Sequence, residues 1–181
     1  MQRTYRRALL YMAHLVLLIA LSPILAFGQT QSSEFLDVFV EDGYRGLLDP
    51  QGIVFGQDGH LYIASEESNQ VLRFNGLTGD FIDVFVGTAN GGLKEPKGIA
   101  FGPDENLYVS SLWTNQVLRY NGITGHFLGS FIDLENEGHE GPYDVVFGPD
   151  GNAYVSAEDA VLRSMERPAS LWAGLTTAEQ A

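Results

Sequence analysis

The residues best suited to chemistry lie in one segment that contains His139, Glu140 and Tyr143. An imidazole titrates near neutral pH, so a histidine beside a carboxylate can act as a general base or as a metal ligand. We therefore take His139 and Glu140 as the candidate catalytic residues. The alternative interpretation is a surface histidine in a polar loop. No Gly-x-Ser-x-Gly, His-Glu-x-x-His, P-loop or dinucleotide-binding pattern occurs in the chain.

Carboxylates outnumber basic groups, with 23 acidic and 10 basic residues. Carboxylate oxygens are the ligands that calcium prefers, so a divalent cation such as calcium is the candidate cofactor. The candidate metal ligands are Asp49, Glu95, Glu158 and Asp159. The alternative is a solvated acidic surface, because no Asp-x-Asp-x-Asp-Gly loop gathers them. The chain has no cysteine, which excludes thiol chemistry and a cysteine-bound metal.

The first 28 residues have the pattern of a secretory signal peptide. Arg3, Arg6 and Arg7 precede the apolar run Ala8–Leu21, and small residues stand at the end of Ala26–Gly28. This pattern predicts an exported protein, periplasmic or extracellular. A retained membrane anchor is the alternative, because the apolar region approaches the roughly 20 residues that span a bilayer.

Removing this segment leaves seven basic and 23 acidic residues, a formal charge of −16. A surface so acidic repels nucleic-acid phosphates and anionic lipid headgroups. We therefore expect neither nucleic acid nor, after cleavage, a membrane as partner.

A repeat organises the rest of the chain. Residues Asn69–Gly79 return almost unchanged as Asn115–Gly125, 46 residues later, and Pro50, Pro96 and Pro142 mark unit starts at the same step. Residues 50–95 and 96–141 share 22 identities in 46 positions. Shared composition cannot produce such a match, so the chain is a repeat protein.

Each unit predicts four short strands. In the second unit we place them near Gly98–Phe101, Asn106–Ser110, Gln116–Tyr120 and His126–Ile132, with Gly, Asp, Asn and Pro between them. Tandem four-stranded antiparallel units of about 40 to 50 residues are typical of a β-propeller. The predicted fold class is therefore all-β, a propeller with about three blades present. We assign residues 29–163 to it and residues 164–181 to a tail without the repeat.

The pattern P-x-G-I-x-F-G-P-D-x-N-L-Y-V-S, followed by N-Q-V-L-R-Y, resembles the NHL-type repeat of six-bladed propellers. That group includes relatives of the streptogramin B lyases and of the gluconolactonase-like, or SMP-30-like, proteins. The resemblance covers residues 35 to about 163 and implies the blade architecture. It implies no single activity, because one fold hosts many functions.

The ends of the repeat leave two interpretations open. Phe35–Val40 matches the fourth-strand sequence Phe81–Val86, whereas the third unit departs from the repeat after Val161–Arg163. One interpretation is a head-to-tail homodimer, in which Phe35–Val40 of each copy pairs with Val161–Arg163 of the other and completes a six-bladed ring. The other is a truncated fragment of a longer propeller.

The resemblance also implies that the loops between strands 4 and 1, and between strands 2 and 3, share one face. This predicts a binding face from residues 42–51, 88–97, 135–144, 66–68, 112–114 and 158–159. The candidate binding residues are Glu66, Glu67, Lys97, Trp113, Tyr143, Asp144 and Glu158. Trp113 either contacts a ligand or covers the neighbouring blade.

Two residue types recur in every unit and are predicted to be structural. Asp58, Asp104 and Asp150 lie in turns, where a carboxylate caps backbone N–H groups. Arg73, Arg119 and Arg163 end the third strand, and we expect a structural or inter-blade ion pair there.

These observations predict an exported, non-catalytic NHL-like binding module for a protein, a glycan or a small ligand. The first alternative is a metal-dependent propeller enzyme of the lactonase or lyase kind, acting through acidic residues and His139. The second is a truncated fragment without independent function.

Overall fold

The computed structural model describes residues 33–88 and 90–165. The chain divides into two units, residues 1–37 and 38–181. In the first unit, residues 33–37 are exposed and form no regular element. The predicted signal peptide, residues 1–28, and tail residues 166–181 lie outside the described residues. Among the residues described, no helix has the length and apolar character needed to cross a membrane.

The strands that follow form three antiparallel sheets, which confirms the all-β repeat. The first blade is β1 Pro50–Phe55, β2 Leu61–Ser65, β3 Gln70–Phe74 and β4 Phe81–Val86. The second is β5 Pro96–Phe101, β6 Leu107–Ser111, β7 Gln116–Tyr120 and β8 Phe127–Asp133. The third is β9 Asp144–Phe147, β10 Ala153–Ser156 and β11 Val161–Ser164. Short 3-10 turns, Tyr44–Gly46 and Asn90–Gly92, precede β1 and β5. All four predicted strands of the second blade lie within two residues of the observed bounds.

Two core clusters lie between successive blades, and a third lies on the first blade with the segment before it. The Tyr62 ring meets the Phe101 ring edge to face at 5.1 Å, and the equivalent Tyr108 meets Phe147 at 4.8 Å. Both tyrosines are 1% exposed. Such rings bury a large apolar area, and edge-to-face pairs add about 0.5–1.5 kcal/mol each. The same contact therefore joins the first blade to the second and the second to the third.

The first strands of the blades lie side by side. The N–H of Gly98 in β5 donates to the carbonyl oxygen of Tyr143, just before β9, at 2.7 Å. A Cβ on Gly52 in β1 would lie 2.5 Å from the Lys97 carbonyl oxygen. Only glycine permits such close approach, so these positions hold β1, β5 and β9 together as the inner strands of the three blades.

One predicted strand does not form within the described part of the single chain. Phe35–Val40 carries no strand assignment, and no strand of the described residues pairs with it. A fourth strand needs the third strand of its own blade as its pairing partner. Among the described residues, no such third strand precedes Phe35–Val40. At the other end of the repeat, β11 pairs only with β10 within the described residues.

The repeated aspartates cap turns as predicted. Asp58, Asp104 and Asp150 each accept the backbone N–H two residues later, at 3.0, 3.2 and 3.1 Å. Each also accepts the phenolic O–H of the tyrosine four residues later, at 2.9 to 3.1 Å, a contact that the turn signature did not predict.

The repeated arginines differ from one blade to the next. Arg73 forms a bidentate pair with Asp83 of β4, with Nε–Oδ1 at 3.0 Å and Nη2–Oδ2 at 2.5 Å. This pairing raises the pKa of Arg73 above its ordinary value. The ion pair is structural, as predicted, but it joins two strands of one blade and does not cross between blades. In the second blade, Gly129 stands opposite Arg119 in the ladder.

Candidate functional site

The two loop sets of the predicted face lie against each other in every blade. In each case a backbone N–H after strand 2 donates to a carbonyl of the loop before strand 1. The pairs are Glu66 to Asp49 at 3.1 Å, Leu112 to Glu95 at 3.2 Å, and Glu158 to Glu140 at 2.9 Å. The variable loops therefore lie at equivalent strand ends in all three blades.

Two asparagines fix the loops of neighbouring blades. Asn69 and Asn115 have φ values of 56° and 57°, in the left-handed region that asparagine tolerates. The side-chain oxygen of Asn69 accepts the Glu95 N–H at 2.8 Å, and that of Asn115 accepts the Gly141 N–H at 2.8 Å. These contacts explain why the asparagine recurs at this position of the repeat. Sequence reasoning missed them because each asparagine bonds the loop that leads into the next blade, 26 residues away.

Trp113 lies between two hollows. The larger, which we call the Trp113 groove, has a volume of about 430 Å³. Its lining residues are Glu95, Leu112, Trp113, Asn115, Glu135, Glu140, Gly141 and Glu158. The smaller, of 280 Å³, is lined by Glu66, Glu67, Asn69, Lys94, Glu95 and Trp113. Trp113 is 70% exposed, so most of its surface is open to a ligand.

Glu66 and Lys97 form an ion pair that joins the first blade to the second. Their side chains are 16% and 18% exposed, so the pair is largely withdrawn from water. The structure thus brings two candidate binding residues together, and each neutralises the other. Tyr143 occupies the position of Lys97 in the third blade and is exposed.

Asp144 is the first residue of β9, one of the three inner strands. Its carboxylate accepts the N–H of Val145 at 2.9 Å, and a Cβ on Gly98 would lie 2.1 Å from its Oδ1. The side chain therefore lies against the backbone of β5. Asp144 is apart from the residues that line the Trp113 groove.

His139 is paired with Asp159 and not with Glu140. Its Nδ1 lies 3.1 Å from both carboxylate oxygens of Asp159, and the two side chains are 30% and 60% exposed. Glu140 lines the Trp113 groove, whereas His139 lines a separate hollow of 440 Å³ beside Arg163. The structure therefore separates the two candidate catalytic residues and gives the histidine another carboxylate, which lies 20 residues away in the chain.

The candidate metal ligands are dispersed. Asp49 accepts the side-chain amide of Gln51 at 3.1 Å, Asp159 pairs with His139, and Glu95 and Glu158 line the Trp113 groove. Across residues 33–88 and 90–165, no three histidine or acidic side chains converge in a way that could hold a metal ion. Calcium binding stays a prediction.

Comparison with protein-family models finds no match, and neither does a search of curated proteins. Solved structures do match. A catalytically inactive virginiamycin B lyase from Staphylococcus aureus, solved with quinupristin, is 18% identical with a TM-score of 0.54. The alignment covers 70% of this chain and 41% of that one.

Two further structures have the same fold. The WD40 β-propeller domain of Doa1 is 18% identical with a TM-score of 0.53, over 69% of this chain and 39% of that one. A gluconolactonase from Xanthomonas campestris is 19% identical with a TM-score of 0.51, over 64% of this chain and 37% of that one. The chain thus spans well under half the length of these proteins. It has the β-propeller fold that streptogramin B lyase-type and gluconolactonase-type proteins share, in a partial form of about three blades.

Proposed function

We propose that this chain is an exported, non-catalytic propeller module that binds a cationic ligand, such as a basic protein segment, in the Trp113 groove. The observation that carries the proposal is the exposure of Trp113, which is 70% exposed and lines a groove together with four glutamates. A large aromatic side chain is expensive to leave in water, and exposed aromatic residues are enriched where proteins bind partners.

The chemistry of the groove favours a positive ligand. Glu95, Glu135, Glu140 and Glu158 line it, and no basic residue of the described part of the chain does. A cation above an indole ring gains about 0.5–1 kcal/mol at an exposed site and about 2 kcal/mol when desolvated. Carboxylates around the ring would hold the ammonium or guanidinium groups of such a ligand and speed its arrival.

Fluorescence of Trp113 tests the proposal. The chain has two tryptophans, so Trp172→Phe provides a background in which Trp113 alone reports. We expect a pentalysine peptide to change the emission saturably, and pentaglutamine to have no effect. Raising the salt concentration should weaken the binding, because the contacts are between charges.

Matched variants locate the site. Glu95→Gln and Glu158→Gln together should weaken pentalysine binding about tenfold or more, whereas Glu105→Gln, on an exposed turn outside the groove, should not. Equal binding of pentalysine and pentaglutamine, or equal loss from the Glu105 variant, would contradict the proposal.

A second candidate function is a hydrolase or lyase activity centred on His139. The observation that favours it is the His139–Asp159 contact, since a carboxylate at Nδ1 orients an imidazole as a base. We expect His139→Ala, and not His126→Ala, to remove any lactone-opening activity that the purified chain shows. Hydrolysis that is absent in the wild type, or that survives His139→Ala, would exclude this candidate.

A further inference from the structure

One face of the first blade's sheet exposes residues whose equivalents in the other blades are buried. Ile53 in β1 is 63% exposed, whereas its repeat equivalent Ile99 in β5 is 6% exposed and Val145 in β9 is fully buried. Phe55 is 60% exposed, whereas its equivalent Phe101 packs into the core between the first and second blades. We call this surface of Ile53 and Phe55 the open side of the first blade. It is the kind of surface that elsewhere in the chain is covered by a preceding blade.

The third blade exposes the opposite kind of surface. Val161 in β11 is 73% exposed, whereas its equivalents Val71 and Val117 are fully buried. Val146 in β9 is 52% exposed on the same blade. We call this surface of Val146 and Val161 the open side of the third blade. In the first two blades, the equivalent side packs against the blade that follows.

These two open sides are the two halves of an interface that the chain already forms twice. We propose that a second copy of the chain places the open side of its third blade on the open side of the first blade, and receives the same contact in return. Three blades from each copy make six, within the roughly four to eight with which propellers close. Two identical head-to-tail contacts then close a ring, which leaves no free apolar blade face. The proposal does not depend on the proposed function.

The segment before β1 already holds the position of a fourth strand from a preceding blade. A Cβ on Gly79 would lie 2.4 Å from the Phe39 carbonyl oxygen, and a Cβ on Gly125 would lie 1.9 Å from the carbonyl oxygen of Phe85. Phe85 belongs to β4, and Phe39 is its equivalent one repeat earlier. Val40 also packs on the core of the first blade. Phe39 and Val40 therefore lie where a fourth strand would, and no strand of the described residues pairs with them.

The open edge of β11 offers that pairing, and the first blade predicts the register. There Leu72 stands opposite Val84 and Arg73 opposite Asp83. The same register in the dimer sets Leu162 opposite Val38 and Arg163 opposite Asp37 of the second copy.

Charge supports this register. Asp37 and Arg163 are exposed, and neither has an ion-pair partner within the described residues. In the dimer they would reproduce the bidentate pair of Arg73 and Asp83. The occupant of the β11 edge is thus a strand with a carboxylate at one defined position, which Phe35–Val40 supplies.

Light scattering on the purified chain gives the first test. We expect one discrete species of twice the chain mass. Asp37→Lys and Arg163→Glu should each weaken the dimer about tenfold or more, because each places like charges at both contacts. Asp80→Lys makes the same charge change on an exposed turn and should leave the dimer intact.

Mixing the two variants gives the decisive test. An Asp37→Lys chain and an Arg163→Glu chain together restore opposite charges at both contacts of one ring, so a 1:1 mixture should recover the dimer. A monomeric wild type, a dimer that both charge changes leave intact, or a mixture that stays monomeric would overturn the proposal. If Phe35–Val40 paired instead with β11 of its own chain, the mixture of the two variants would stay monomeric.

Discussion

Substituting Gly125 by alanine tests how the blades stack. Gly125 lies in the turn between β7 and β8 with φ at +69°, and an added Cβ would lie 1.9 Å from the Phe85 carbonyl oxygen in the first blade. Gly151 lies in the turn between β9 and β10 with φ at +76°, but a Cβ there would meet nothing within 4 Å. The pair separates the cost of backbone conformation from the cost of a contact between blades.

Both variants place a side chain in the left-handed region, at about 1–2 kcal/mol. Gly125→Ala must also push a neighbouring strand away, and overpacking of this kind costs about 1–3 kcal/mol more. We therefore expect Gly125→Ala to lower the free energy of unfolding by about 2–5 kcal/mol and Gly151→Ala by about 1–2 kcal/mol. Urea unfolding followed by circular dichroism measures both. Equal losses would show that the β7–β8 turn does not pack on β4, and would refute the stacking described above.

Further predictions concern the polar contacts. Ser110 has a buried hydroxyl without a partner among the described residues, whereas the hydroxyl of Ser111 forms hydrogen bonds with the loop before β5. In urea unfolding, Ser110→Ala should therefore leave the free energy of unfolding unchanged or raise it. Ser111→Ala should lower it by about 1–3 kcal/mol. Lys97→Met leaves Glu66 largely buried and unpaired, so thermal unfolding should begin at a lower temperature, and Glu66→Gln should restore part of the loss in the double variant. Hydrogen bonds from neighbouring side chains hold the pKa of the Asp150 carboxyl below its ordinary 3.8. Its stabilising effect is therefore complete above that pH and is lost as the pH falls through the lower folded pKa. Acid titration should show Asp150→Asn, less stable than the wild type near neutral pH, losing this deficit in strong acid.

The repeat made the blades predictable from sequence. The 46-residue step and the Gly, Asp and Asn turn residues act locally, so they placed the strands of the second blade within two residues. The same locality predicted the caps of Asp58, Asp104 and Asp150.

The site was less predictable because its contacts join segments that lie 20 or more residues apart in the chain. The Asn69 and Asn115 side chains bond the loops of the following blade, and His139 finds Asp159 across 20 residues. No periodicity reports such contacts. The strand predicted at Phe35–Val40 does not form within the described residues of one chain for a related reason, since strand pairing depends on a neighbour that a local pattern does not supply.

Mapping a bound cation by NMR tests the central claim most directly, which is that the variable loops of one face form the ligand site. With pentalysine added, we expect amide shifts to change at residues 94–95, 112–115, 135–141 and 158, around Trp113. Changes confined to the opposite turns, at residues 57–60, 103–106 and 121–125, or spread evenly over the surface, would contradict the account.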